Sequence, residues 1–136
     1  MTTFDVENSV AFVTGANKKN GIGRAIVDAL LHAGAKKVYA TARDTSQLDE
    51  LVEGSGGRVV AVGLDVTDSE VVKTLGSKYS DVNLLVNNAG YVKNESILGD
   101  VEDMKKEMAV NYFALIEIVK RDAARLFARG KRRQEV

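Results

Sequence analysis

The chain has 136 residues, enough for one domain with a real core, and 19 basic side chains balance 19 acidic ones. That balance excludes nucleic acid or an anionic membrane as a partner drawn in by net charge. The absence of cysteine excludes disulfides, thiolate nucleophiles and cysteine-held metals, and without proline the turns depend on glycine.

The first residues, Met1-Thr2-Thr3-Phe4-Asp5, lack the basic stretch and apolar core of a secretory leader. No apolar run approaches the roughly 18 residues of a membrane span, so a soluble, cytoplasmic protein is expected. Val10-Ala11-Phe12-Val13 is a short unbroken apolar run and reads as a buried strand. From Gly21 to Ala33 the pattern turns helical, with Ile26, Leu30 and Ala33 on one face and Gly34 as the stop. Val38 to Ala42 reads as a second strand. Asp44, with Gln47 three residues on, looks like the capped start of a short helix through Val52.

Gly54-Ser55-Gly56-Gly57 is a loop, and Arg58 to Leu64 a third strand. Thr67 with Glu70 repeats the capping pattern before a helix ending near Tyr79, and Val82 to Val86 is a fourth, almost wholly apolar strand. After Gly99-Asp100 comes the longest helix. Its stripe is Val101, Met104, Met108, Tyr112, Leu115, Val119, Ala123 and Leu126. Apolar strands alternating with helices predict an α/β fold of doubly wound, Rossmann type: a parallel sheet covered on both faces. With no repeat and no linker, one domain over 1–136 is expected, ending in a basic tail from Gly130 to Val136. Lys131-Arg132-Arg133 reads as a solvated end, since three cations are too few for a nucleic-acid contact. His32, the one histidine, adjoins no acid or serine motif and reads as a surface residue near a helix C-terminus.

Between the first strand and the first helix lies Thr14-Gly15-Ala16-Asn17-Lys18-Lys19-Asn20-Gly21-Ile22-Gly23. Glycines let such a turn bend sharply and approach a ligand, while the helix start points free N–H groups at an anion. A diphosphate fits that geometry; a plain flexible turn is the other reading. A Walker loop is excluded because Ile22-Gly23 stand where Lys and Ser or Thr belong. The pattern G-x-G-x-x-G also fails, because the third position counted from Gly21 and Gly23 is Ile26.

Thr-Gly followed by Gly-Ile-Gly after the first strand, Leu64-Asp65-Val66-Thr67-Asp68 after the third, and Asn87-Asn88-Ala89-Gly90 after the fourth together resemble the short-chain dehydrogenase/reductase family. The resemblance runs from about Val10 to about Arg129 and implies the sheet order 3-2-1-4. One departure concerns the loop: five residues, Ala16 to Asn20, stand where the family usually has three. The resemblance implies a dinucleotide cofactor cradled by Gly15, Asn17, Lys18, Asn20, Gly21, Ile22 and Gly23. It further implies that Asp65 bonds the adenine amino group, that Val66 packs beside the ring, and that Asn88, Ala89 and Gly90 let the cofactor pass close to backbone. Both Asp65 and the paired asparagines also suit ordinary turns.

The ligand of such a sheet lies at the carboxyl ends of the strands, where the residue ending the second strand meets the adenosine ribose. An acid there would bond the 2′-hydroxyl and repel a 2′-phosphate; this chain has Ala42 and then Arg43. Arginine offers phosphate a planar fork of donors, so NADP is expected over NAD, with Lys18 or Lys19 adding to the preference. Ala42-Arg43 also speaks against a methyltransferase, whose ribose wants an acid.

The resemblance implies hydride transfer to or from a carbonyl or alcohol, with a serine, a tyrosine, a lysine four residues after it, and a helix asparagine. Asn111 matches the asparagine. The residues four after Tyr39, Tyr79, Tyr91 and Tyr112 are Arg43, Asn83, Glu95 and Ile116, so no Tyr-x-x-x-Lys is present. The chain is therefore expected to be a truncated front half, with the oxidoreductase chemistry incomplete. A non-catalytic NADP(H)-binding or dimerisation module is the alternative. In the family the long helix packs against its copy in a partner subunit, which implies a homo-oligomer. Without a further strand, the apolar fourth strand is expected to be an open edge.

Overall fold

Val10–Val13 forms β1, and all four residues are buried, as an unbroken apolar run beside two neighbours requires. The computed structural model describes residues 5–91 and 99–120. β1 pairs in parallel with β2 (Lys37–Ala42) on one side and β4 (Leu84–Val86) on the other. β2 pairs in parallel with β3 (Val59–Gly63), which completes the order β3-β2-β1-β4. The parallel sheet and its order are those the sequence and its resemblance imply.

The described residues fall into two compact units, 5–65 with 81–89, and 66–80 with 90–91 and 99–120. The first holds the sheet and α1 (Ile22–His32), a 3₁₀ turn (Thr45–Leu48) and α2 (Asp49–Glu53). Its core joins Ala11 and Val13 of β1 with Val38, Ala40 and Ala42 of β2, alternate residues that share one sheet face. Val27 and Leu30 of α1, with Leu48 and Leu51, close over that face. Each such side chain contributes about 1.5–3 kcal/mol by leaving water.

Gly23, Arg24, Val27 and Leu30 form the buried face of α1, with Ile26 partly buried and Ala33 exposed. The inward face is thus turned from the expected Ile26–Leu30–Ala33 line, because Gly23 is small enough to lie against the chain at Gly15. Gly34 ends the helix at φ +90, and the amides of Gly34 and Ala35 donate to Leu31 O and Leu30 O. Asp44 caps the 3₁₀ turn through Ser46 N, whereas the paired role expected of Gln47 is absent among its hydrogen bonds.

The apolar run before β4 begins at Val82, yet pairing starts at Leu84. Asn83 ends it early: its amide donates to Val10 O and its Oδ1 accepts from Val10 N, both at 2.9 Å. Below the sheet's amino end, Asp81 accepts from Lys37 Nζ at 2.7 Å and from Tyr39 Oη at 3.0 Å. The Lys37 ammonium, then the Tyr39 hydroxyl, holds the Asp81 carboxyl below its ordinary range, and Asp81 in turn raises Lys37.

The second unit holds α3 (Ser69–Lys78) and α4 (Val101–Met108). Asp68, not the expected Thr67, caps α3 by accepting from Val71 N. Asp100 caps α4 through Glu102 N. A π turn, Ala109–Phe113, follows α4, and residues 114–120 are again helical. The expected stripe is exposed from Val101 through Val119, while Ala114 and Ile118 are buried. Ala123, Leu126 and the tail from Gly130 lie outside the described residues.

Candidate functional site

The carboxyl ends of β1, β2 and β4 are tied together by side chains of two threonines and one asparagine. Thr14, 1% exposed, accepts at its Oγ1 from the amides of Asn88 and Ala89, both at 2.9 Å. Asn88 Nδ2 donates to Gly15 O at 3.0 Å. Thr41 Oγ1 accepts from Gly15 N, and Thr41 O from Ala16 N. Thr14 was visible in the sequence only as the first residue of the Thr-Gly motif, with no role assigned to its hydroxyl, and Thr41 not at all; a hydroxyl near the end of a buried strand is the signal that was available.

That knot leaves no room for side chains on the glycines it surrounds. Gly15 has φ +71, and a Cβ there would meet Ala89 Cα at 2.7 Å. A Cβ on Gly23 would meet Gly15 O and, at 2.5 Å, Asn88 Nδ2. The backbone of the turn therefore lies bare between β1 and α1. Gly21 is the N-cap of α1; no side chain caps it, and the first turn holds no acid. Unsatisfied amides and the positive end of the helix dipole make such a terminus a place for an anion. A Cβ-free backbone beside an uncapped helix start fits a dinucleotide's diphosphate.

The five-residue stretch between Gly15 and Gly21 leaves the turn on the α2 side. Ala16 is buried, Asn17 is half-buried, and Lys18, Lys19 and Asn20 are exposed. Lys18 O accepts from Gly21 N at 3.0 Å, closing the turn. Lys19 Nζ lies 3.4 Å from Glu50 Oε2 on α2. Ile22 is 74% exposed on the first turn of α1.

Arg43 follows β2 directly and is exposed, with no hydrogen bond or ion pair among the described residues. Asp44, its neighbour, is committed elsewhere, accepting from Ser46 Oγ at 2.7 Å and Ser46 N at 3.0 Å. Those bonds hold the Asp44 carboxyl below its ordinary range. Arg24, which the sequence did not single out, is 8% exposed and donates from Nη2 to Gln47 O at 2.6 Å, bracing the loop after Arg43. Asp65, exposed, follows β3 by two residues, and Leu64 N donates to Ala42 O.

One unit thus brings together Gly15, Asn17, Lys18, Asn20, Gly21, Ile22, Gly23, Arg43, Asp65, Asn88 and Ala89. Val66, Gly90 and Asn111 belong to the other. There Val66 is buried and Gly90 exposed. Asn111, within the π turn, binds the backbone of Tyr91 twice: Oδ1 accepts from Tyr91 N at 2.8 Å and Nδ2 donates to Tyr91 O at 2.7 Å. Lys106 Nζ stands 4.5 Å from the centre of the Tyr91 ring. Among the described residues no cluster of His, Cys, Asp or Glu is arranged to hold a metal, and no helix is long and apolar enough to cross a membrane.

A family model described as short chain dehydrogenase matches residues 9–133. L-xylulose reductase of Bos taurus is 38% identical over 121 residues, covering 88% of this chain and 48% of that protein. A short-chain dehydrogenase of Burkholderia cenocepacia in complex with NADP superposes with a TM-score of 0.79 at 38% identity, covering 90% of this chain and 50% of that one. The NADPH-bound carbonyl reductase from chicken fatty liver gives a TM-score of 0.77 at 28% identity, covering 88% and 49%. The chain spans less than half the length of the curated relatives it matches, 41% and 48% of two of them.

Proposed function

The chain belongs to the short chain dehydrogenase family, and from that premise we propose that it binds NADP(H) in preference to NAD(H). In this reading it is the nucleotide-binding part of an oxidoreductase acting on a carbonyl or alcohol. When bound, the nicotinamide supplies the hydride chemistry. The residues of this chain bind and orient: the bare backbone at Gly15, Gly21 and Gly23 receives the diphosphate, with Asn17, Lys18, Asn20 and Ile22 beside it. Asp65 and Val66 serve the adenine, and Asn88, Ala89 and Gly90 line the passage past β4.

The observation that carries the preference is Arg43, an uncommitted guanidinium at the end of β2 where an acid would select NAD(H). A charge-assisted bond from it to a phosphate is worth about 1.5–3 kcal/mol, which is about one to two decades in affinity. NADPH and NADH titrated by fluorescence against wild type and Arg43→Ala test this. Wild type is expected to hold NADPH at least about tenfold tighter, and Arg43→Ala to erase most of that difference. Equal affinities in wild type would overturn the NADP assignment.

One observation favours a second reading, a non-catalytic NADP(H)-binding or dimerisation module. The side-chain amide of Asn111 is spent on both backbone groups of Tyr91, so it acts as a structural pin. Either reading includes self-association through α4 and the helical residues after it.

A further inference from the structure

We propose that Glu50 is a built-in rival of the cofactor's 2′-phosphate for Lys19, and so sets how far the site prefers NADP(H); this rests on the function proposed above. Lys19 Nζ and Glu50 Oε2 lie 3.4 Å apart, with the side chains 75% and 69% exposed. Lys19 belongs to the five residues between Gly15 and Gly21. The first of these, Ala16, donates its amide to Thr41 O at 2.9 Å, two residues before Arg43. The segment carrying Lys19 and the segment carrying Arg43 therefore leave the sheet side by side at one end. Glu50 stands one helix turn past the loop that begins with Arg43, and it draws Lys19 toward that loop.

Behind Glu50 lies a second cation. Arg24 Nη1 is 4.0 Å from the same carboxylate oxygen, and Arg24 is itself fixed by its bond to Gln47 O. Glu50 keeps a positive neighbour when Lys19 leaves it, so the exchange strands no charge. An exposed ion pair is weak, and a phosphate monoester carries more charge than a carboxylate. Lys19 is accordingly shared out between Glu50 and an incoming 2′-phosphate. Arg43 and Lys18, which have no ion pair among the described residues, face no such competition. Arg43 gives the base preference, and Glu50 restrains what Lys19 adds.

Glu50→Gln keeps the side-chain shape on an exposed helix position and releases Lys19. At low ionic strength, where exposed charges are least screened, NADPH should bind the variant about two- to fivefold tighter than wild type, with NADH unchanged. In a Lys19→Met background the same substitution should bring no gain. Glu53→Gln, which removes an equal charge from α2 at a residue with no ion pair among the described residues, should bring none either. The inference is overturned by an unchanged NADPH-to-NADH ratio in Glu50→Gln, by a gain that survives Lys19→Met, or by an equal gain from Glu53→Gln. Wild type without a preference for NADPH is a different result: it removes the reading of the site itself, and this inference with it.

Discussion

At the residue scale the site is built around one hydroxyl. Thr14 Oγ1 accepts two backbone amides, those of Asn88 and Ala89, which join the end of β1 to the chain leaving β4. Thr14→Val keeps shape and β preference but leaves both donors without that acceptor, at a cost of about 1–3 kcal/mol. The urea midpoint should fall accordingly, while Thr14→Ser should recover most of it; a valine variant as stable as wild type would show the bonds to be dispensable. The glycines and Arg43 were legible in the sequence because each is an anomaly: bare residues next to an apolar strand, and a cation where an acid is usual. Lys19 was named as a possible aid to Arg43, but its pairing with Glu50, and the parts of Arg24 and Glu50 themselves, were not legible. Their bonds join positions 23 to 31 residues apart, and an isolated Lys, Arg or Glu on a helix or turn reads as a solvated charge.

At the element scale, hydrophobic period and turn residues located the four strands and the main helices among the described residues, but not the split of the second helix into a 3₁₀ turn and α2 or the π turn after α4. Their ends were decided by bonds that pattern does not encode. Asn83 cuts β4 short by spending its side chain on Val10 N, and Asp68 displaces Thr67 as the cap of α3. Arg58 is the clearest case of an end fixed from afar. It reads as the first residue of a strand, yet its Nη2 donates to Leu31 O at 2.7 Å and Ala35 O at 2.6 Å, and Nε to Ala35 O at 3.1 Å. A fixed cation on Leu31 O in the last turn of α1 and on Ala35 O just after it complements the helix dipole and ties the end of α1 to the start of β3. Arg58→Met keeps the apolar stem and removes these bonds, so stability should drop by about 1–3 kcal/mol. The check is chemical denaturation together with amide exchange, in which the last turn of α1 should lose protection before β1 does. Uniform loss across α1 and β1 would mean that Arg58 supports the core as a whole.

At the scale of the whole molecule, the alternation of elements gave the parallel sheet, but the order β3-β2-β1-β4 came from the resemblance, since apolar strands of similar length do not declare their neighbours. What pattern did give is a helix whose apolar residues face out. Val101, Met104, Met108, Tyr112, Leu115 and Val119 are all at least 36% exposed, whereas the less exposed positions of the same stretch include Asp103, Glu107 and Glu117. A row of large apolar side chains in water over several turns is a surface that calls for a partner. Within the sheet, β4 is an edge among the described residues and leaves backbone groups for a second strand to bind. The two features predict association by different routes, and substitution separates them. Met108→Glu with Tyr112→Lys places opposite charges on the exposed row, leaves the net charge unchanged and touches no buried residue. Sedimentation velocity at micromolar concentration should find wild type as dimers or larger, and the double variant as monomer with the same far-UV dichroism. Persistence of the wild-type assembly in that variant would move the contact to β4, where Leu85→Lys should then dissolve it; a monomeric wild type would remove both routes.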